Sequence, residues 1–304
     1  LRRITESKAR HAPFQAGHPA TAGFETAFQK QPSGYWIAWS SPVKPGDDTP
    51  LEVVTSLVSY GRDCPYSVAM PGHDDHAASR DRAFFGRRKG HRLRSRQVDL
   101  MATLLPRLAL TLDQPPPDKL AQIFSRPVEA VRLEIGFGGG EHLIAEATGH
   151  PAIGFIGCEP FVNGMAKILA SIDAGAIDNI RLYAGDAVEL ITWLPDASLD
   201  QVDLLYPDPW PKRRHWKRRF VQDRTVAMLG RALRPGGLFR FATDIADYAA
   251  WTLERLTRAP DFTWTAERAD DWRKPWAGFH GTRYEAKANR EGRTPCYLEF
   301  RRKA

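Results

Sequence analysis

Cysteine is scarce in this chain: Cys64, Cys158 and Cys296 are the three in 304 residues, and no two form a Cys-x-x-Cys pair. That excludes a disulfide framework and a cysteine-rich zinc site, and fits a reducing compartment. Long apolar runs are missing as well. No stretch of eighteen or more apolar residues occurs, which argues against a membrane-spanning helix, and the first residues lack the charged, apolar and small-residue order of a secretory leader. The chain is therefore expected to be soluble and cytoplasmic. Acidic residues are in deficit, with 36 Asp and Glu against 43 Lys and Arg, for a formal net charge of +7. Such an excess favours an anionic partner, a nucleic acid or a membrane surface, and says nothing about fold.

The two ends of the chain differ. Residues 1–79 are rich in Pro, Gly, Ser, His and Asp and are expected to form a poorly ordered or accessory extension. Within it, Leu51–Tyr60 reads as one strand or hairpin arm. His73, Asp74, Asp75 and His76 carry metal-binding groups, but neighbours in one loop seldom converge on a single ion, so no metal site is expected. Residues 80–304 read as one domain. Its first stretch, Arg80–Arg96, is basic and interrupted by Phe84 and Phe85; Arg87, Arg88, Lys89, Arg92, Arg94 and Arg96 would suit either phosphates or solvent. Gln97–Leu112 then spaces its apolar residues as a helix with a kink or boundary at Pro106.

From Val128 onward short apolar strands alternate with helical segments. Strands are predicted at Val131–Ile135, Ile153–Cys158, Ile180–Tyr183, Val202–Tyr206 and Leu238–Ala242. Helices are predicted near Glu141–Ala147, Val162–Ala174, Ala187–Trp193 and Phe220–Leu233. Further strands at Phe262–Glu267 and Cys296–Arg301, joined by a long polar connection from Arg268 to Pro295, could complete the sheet. This alternation means an α/β fold: a mostly parallel, Rossmann-like sheet with helices on both faces. Ligands bind such sheets at the carboxyl ends of the strands.

Chemistry-bearing residues fall at those ends. After the first strand come Glu134, Gly136, Gly138 and the glycines up to Glu141, a tight turn that admits a ligand close to backbone. A dinucleotide fingerprint would need glycine where Glu141 stands, and a carboxylate there repels pyrophosphate. S-adenosylmethionine, which carries a sulfonium and an ammonium but no phosphate, suits acidic surroundings better. Glu134 is placed to attract its cationic methionine portion, Glu159 to accept from ribose hydroxyls, and Asp186 to receive the adenine amino group beside Ala187. Each acid has an ordinary alternative: a polar strand residue, a loop charge before Pro160, and an N-cap of the following helix, respectively. The fourth strand delivers Tyr206-Pro207-Asp208-Pro209-Trp210-Pro211, where two prolines stiffen a turn around one carboxylate. Six cations follow in eight residues, Lys212 to Arg219, a composition suited to a nucleic acid.

In these motifs the chain resembles the bacterial tRNA (guanine-N7)-methyltransferases. The resemblance spans about residues 80–304 and rests on LEIGFGGGEHL, GCEPF, GDAVELI, YPDPWPKRRHWKRR, FATD ending at Asp244, and GTRYE ending at Glu285. It implies a seven-stranded methyltransferase sheet, with transfer of a methyl group from S-adenosylmethionine to N7 of the variable-loop guanosine of tRNA. Glu134, Glu159, Asp186 and Asp208 would bind the cofactor, with Asp208 also the catalytic candidate. Lys212 and Asp244 would contact the substrate guanosine, and Thr282, Arg283, Tyr284 and Glu285 would form a late substrate loop. Arg213, Arg214, Lys217, Arg218 and Arg219 would hold RNA. The family motif often reads Thr-Lys-Phe-Glu where this chain has Thr-Arg-Tyr-Glu, a change that keeps the charge and the ring. No obligate protein partner is evident. Two other readings stay open: a methyltransferase acting on an exocyclic amine of RNA or DNA, and a noncatalytic RNA-binding protein of the same fold.

Overall fold

The computed structural model describes residues 84–304 and, before them, the backbone of two strands. The chain divides into two compact units, Leu1–Tyr66 and Ser67–Ala304. In the first, β1 (Phe24–Lys30) and β2 (Trp36–Pro42) pair antiparallel, with Phe24 opposite Pro42 and Lys30 opposite Trp36. This hairpin was not anticipated, although its aromatic and β-branched residues favour strand. The strand expected at 51–60 and the cluster at 73–76 lie outside the described residues.

In the second unit the elements run α1 (Ser95–Thr103), α2 (Leu105–Leu108), β3 (Ala130–Ile135), α3 (Glu141–Gly149), β4 (Ile153–Cys158), α4 (Val162–Gly175), β5 (Ile180–Tyr183), α5 (Ala187–Trp193) and β6 (Leu199–Leu205). They continue with α6 (Asp223–Ala232), β7 (Leu233–Thr243), α7 (Ala246–Arg258), β8 (Phe262–Trp264), α8 (Asp270–Arg273), α9 (Arg283–Arg290) and β9 (Cys296–Arg302). The sheet has seven strands in the order β5-β4-β3-β6-β7-β9-β8. The strands from β5 to β7 are parallel, and β9 runs antiparallel to both β7 and β8. Parallel strands need covering on both faces, and β4 and β6 are accordingly buried almost along their whole length. Leu143, Phe155, Ile168, Leu169 and Leu182 join Leu100 and Leu108 in one core cluster. Each fully buried side chain of this kind stabilises the fold by roughly 1.5–3 kcal/mol.

The departures from expectation have local causes. The helix predicted over Gln97–Leu112 stops at Thr103; Pro106 opens the short α2, and Leu110 then donates to Leu182 O at 2.8 Å beside β5. Strand β7 begins at Leu233, well before Leu238, and pairs across a register shift with β6. Strand β8 ends at Trp264 rather than Glu267. Helix α7 was not anticipated, although Tyr248, Ala249, Thr252, Leu253 and Leu256 are buried at helical spacing. The polar connection after Arg268 contains α8 and α9.

Candidate active site

The glycine turn after β3 is shaped by close packing. Gly140 takes a left-handed conformation (φ 82°), and a Cβ there would stand 2.6 Å from Ile168 Cγ1 on α4, so no larger residue fits. From the end of β4, Glu159 ties the turn down: Gly138 N donates to Oε2 at 2.7 Å and Phe161 N to Oε1 at 2.9 Å. Burial raises the Glu159 carboxyl above its usual range, while those two backbone donors oppose the rise. At the end of β5, Asp186 caps α5 by accepting from Val188 N at 2.9 Å, and its other oxygen accepts from Phe84 N at 2.7 Å. The capping role and the place in the site are therefore compatible.

These strand ends open into one cleft of about 350 Å³. Gly136, Gly138, Glu159, Asp186, Asp208, Arg218 and Tyr284 all line it, so residues from four successive strand ends, the basic run and the late loop meet there. Phe84, Phe85, Gly86 and Arg87 complete the wall. That contribution was not foreseen; the only signal in the sequence was a pair of aromatic residues inside the basic stretch.

Glu134 is buried next to the last residue of β3, where His142 Nδ1 donates to its Oε2 at 2.8 Å. Burial alone would lower the imidazole pKa, but the bond to Glu134 and the charges of Glu134, Asp203 and Glu146 outweigh it and raise it to about 9. His142 is thereby biased towards its protonated form beside Glu134. Asp203, buried on β6, is pushed up to about 6 by burial, against the pull of His142 and of hydrogen bonds from Gln201 Nε2 at 2.9 and 3.0 Å. Nothing in the spacing of His142 marked it; it falls on the inward face of α3.

The turn after β6 is strained. Tyr206 and Trp210, on either side of Asp208, have φ of 50° and 44°, conformations that cost bulky residues about 1–3 kcal/mol each. Asp208 lies at the cleft rim, exposed to solvent, yet the chain around it desolvates its carboxyl enough to raise its pKa. Arg218 stacks on the outer side of this turn, its guanidinium 4.9 Å from the Trp210 ring and 5.7 Å from that of Phe85.

The cationic run forms a 3-10 helix, Arg213–Arg218, on which Arg213, Arg214 and Lys217 are exposed, as is Lys212 just before it. Arg219 corrects the expectation for the run. Its side chain is buried, at 2% residue exposure, and paired with Asp247, so it offers no surface to RNA. The late loop closes from the other side. Tyr284 packs over Gly138 and is 49% exposed. Its neighbours make protein contacts outside the cleft wall: Thr282 caps α9, Arg283 pairs with Glu141, and Glu285 accepts from Tyr297 Oη. Asp244 likewise pairs with Arg293, at 2.5 Å.

A parallel sheet closed by an antiparallel β9, with acidic residues at the tips of β4 and β5 around a glycine turn, defines a Rossmann-like methyltransferase. The family described as "Putative methyltransferase" matches residues 128–298. A tRNA (guanine-N(7)-)-methyltransferase of Rhodopseudomonas palustris strain BisB5 is 66% identical over 72% of this chain and 86% of its own length. The protein of that name from Bradyrhizobium diazoefficiens is 62% identical over 76% of this chain and 97% of its own. The solved structure of the 16S rRNA methyltransferase KamB aligns with a TM-score of 0.44 at 16% identity, over 63% of this chain and 96% of that one. The chain belongs to the tRNA (guanine-N(7)-)-methyltransferase family.

Proposed function

We propose that this chain methylates N7 of the variable-loop guanosine of tRNA, in the cytoplasm, with S-adenosylmethionine as donor. The observation that carries this reading is the convergence of Glu159, Asp186, Asp208, Arg218 and Tyr284 on one cleft beside the glycine turn. Among the described residues no helix is long and apolar enough to cross a membrane, and no cluster of side chains could hold a metal ion.

The cleft fits an adenosyl donor. Glu159 keeps lone pairs for ribose hydroxyls beyond those bonded to Gly138 and Phe161, and Asp186 lines the wall beside Ala187. S-adenosylmethionine, when bound, supplies an electrophilic methyl on a sulfonium. Guanine N7 already bears an in-plane lone pair and no proton, so its attack needs alignment more than a base. Asp208 therefore acts by charge: it stabilises the purine as it becomes cationic, or holds the N1 and N2 hydrogens as they grow more acidic. Lys212, Asp244 and the loop from Thr282 to Glu285 position the guanosine. Lys212 to Lys217 lead away from the rim as a phosphate-binding ribbon.

The test is mass mapping of the modified nucleotide after incubation with bulk unmodified tRNA. The expected product is one 7-methylguanosine in the variable loop, where reduction and amine treatment then cleave the strand. A methyl group on an exocyclic amine, or no saturable binding of S-adenosylmethionine, would overturn the reading.

A further inference from the structure

Arg219 ends a run in which Lys212, Arg213, Arg214 and Lys217 are exposed and Arg218 lines the cleft, yet its own side chain turns wholly inward. Its Nε donates to Pro209 O at 2.9 Å, one residue beyond Asp208. Its Nη2 pairs with Asp247 in the first turn of α7. Its Cζ lies 4.9 Å from the ring centres of Trp216 and Tyr248 and 5.0 Å from that of Trp251, so three aromatic faces hold the remaining charge. A guanidinium this enclosed cannot reach a phosphate.

What it does reach is the least supported part of the site. Pro207, Pro209 and Pro211 have no N–H with which to anchor the turn, and Tyr206 and Trp210 hold positive φ on either side of Asp208. Strain of this kind persists only where the surroundings enforce it. A charge-assisted bond to the Pro209 carbonyl, itself fixed to a regular helix, is such an enforcement.

We propose that Arg219 is a positioning residue: by clamping the Pro209 carbonyl to α7 it sets where the Asp208 carboxylate stands. The proposal rests on the reading of Asp208 given above. Adjacent arginines thus divide the work, Arg218 stacking on the rim and Arg219 fixing the turn from within.

The experiment compares Arg219→Lys, Asp247→Ala and Asp208→Ala by steady-state kinetics on tRNA, well below each variant's melting temperature. Lysine keeps the charge but lacks the fork that spans Pro209 O and Asp247. Its kcat is expected to fall about 30-fold, since a displacement near 1 Å costs up to about 100-fold. Asp247 is largely exposed, so Asp247→Ala should fold and loosen the clamp, with kcat down about fivefold. In both variants KM for tRNA and for S-adenosylmethionine should stay within about threefold, with the salt dependence of tRNA binding unchanged. A lower melting temperature with full kcat would make Arg219 a purely structural post and overturn the proposal. So would a loss confined to KM for tRNA with a flatter salt dependence. If Arg219→Lys does not fold, Asp247→Ala decides alone. Full turnover in Asp208→Ala would instead sink the reading of the site itself, whereas loss there with unchanged kcat in the other two would sink the clamp only.

Discussion

The cleft has two halves that are held in different ways. Under β4 and β5 the acids are locked by main-chain donors, Gly138 N and Phe161 N on Glu159, Val188 N and Phe84 N on Asp186. Beyond β6 the turn is held by side chains, Arg218 over Trp210 and Arg219 beneath Pro209, and after β7 Arg293 holds Asp244. Backbone donors are fixed by the fold and barely move, so the first half is a preformed socket. The second is set by long side chains that have alternatives, so it is the half that substitutions can retune without unfolding the protein.

That contrast yields predictions, the largest first. Asp208→Ala should cost at least about 100-fold in kcat, with saturable binding of S-adenosylmethionine and the melting temperature little changed. Calorimetric titration beside kinetics checks this; lost cofactor binding would show that the second half also builds the socket. Gly140→Ala should instead damage the socket, through its positive φ and its clash with Ile168, destabilising the fold by about 2–4 kcal/mol in urea melts. A variant of wild-type stability would break the comparison. Arg213, Arg214 and Lys217 changed together to Ala should weaken tRNA binding and lower the salt slope by about two, cofactor affinity staying put. An unaltered slope would remove the ribbon from RNA binding.

The smallest effect concerns His142. Its folded pKa, raised from 6.5 to about 9, means that the folded state holds the proton more tightly than the unfolded state does. Its stabilisation is then complete below pH 6.5 and lost as pH rises through about 9. Wild-type melting temperature should fall across that window, and His142→Gln should flatten the fall. Parallel curves would show that the bond to Glu134 contributes nothing to stability.

The same contrast governs what was legible beforehand. Glycine spacing and strand-end acids report main-chain geometry, which is local in sequence, so Gly136, Gly138, Glu159 and Asp186 could be placed in the cleft from residues alone. The partner of Glu134 was not legible, because His142 sits on the inner face of α3, where spacing cannot distinguish a buried ion-pair partner from a polar core residue. Arg219 was misread for a related reason. Six cations in eight residues look like one surface, and only the 3-10 turn, with Tyr248 and Trp251 waiting on α7, separates the last from the rest. Helix α7, the support for that separation, was itself overlooked, so no basis existed for expecting an aromatic cage.

Strand β9 follows β8 in the chain but lies between β7 and β8 in the sheet. As the polypeptide leaves the ribosome, β3 to β7 can pair in order of synthesis, while β8 has no neighbour until β9 arrives. Tyr297 on β9 also seats Glu285 of the late loop. A nascent molecule can therefore carry the glycine turn, the strand-end acids and the basic run while the late loop that faces them is still missing, and translation itself imposes that order.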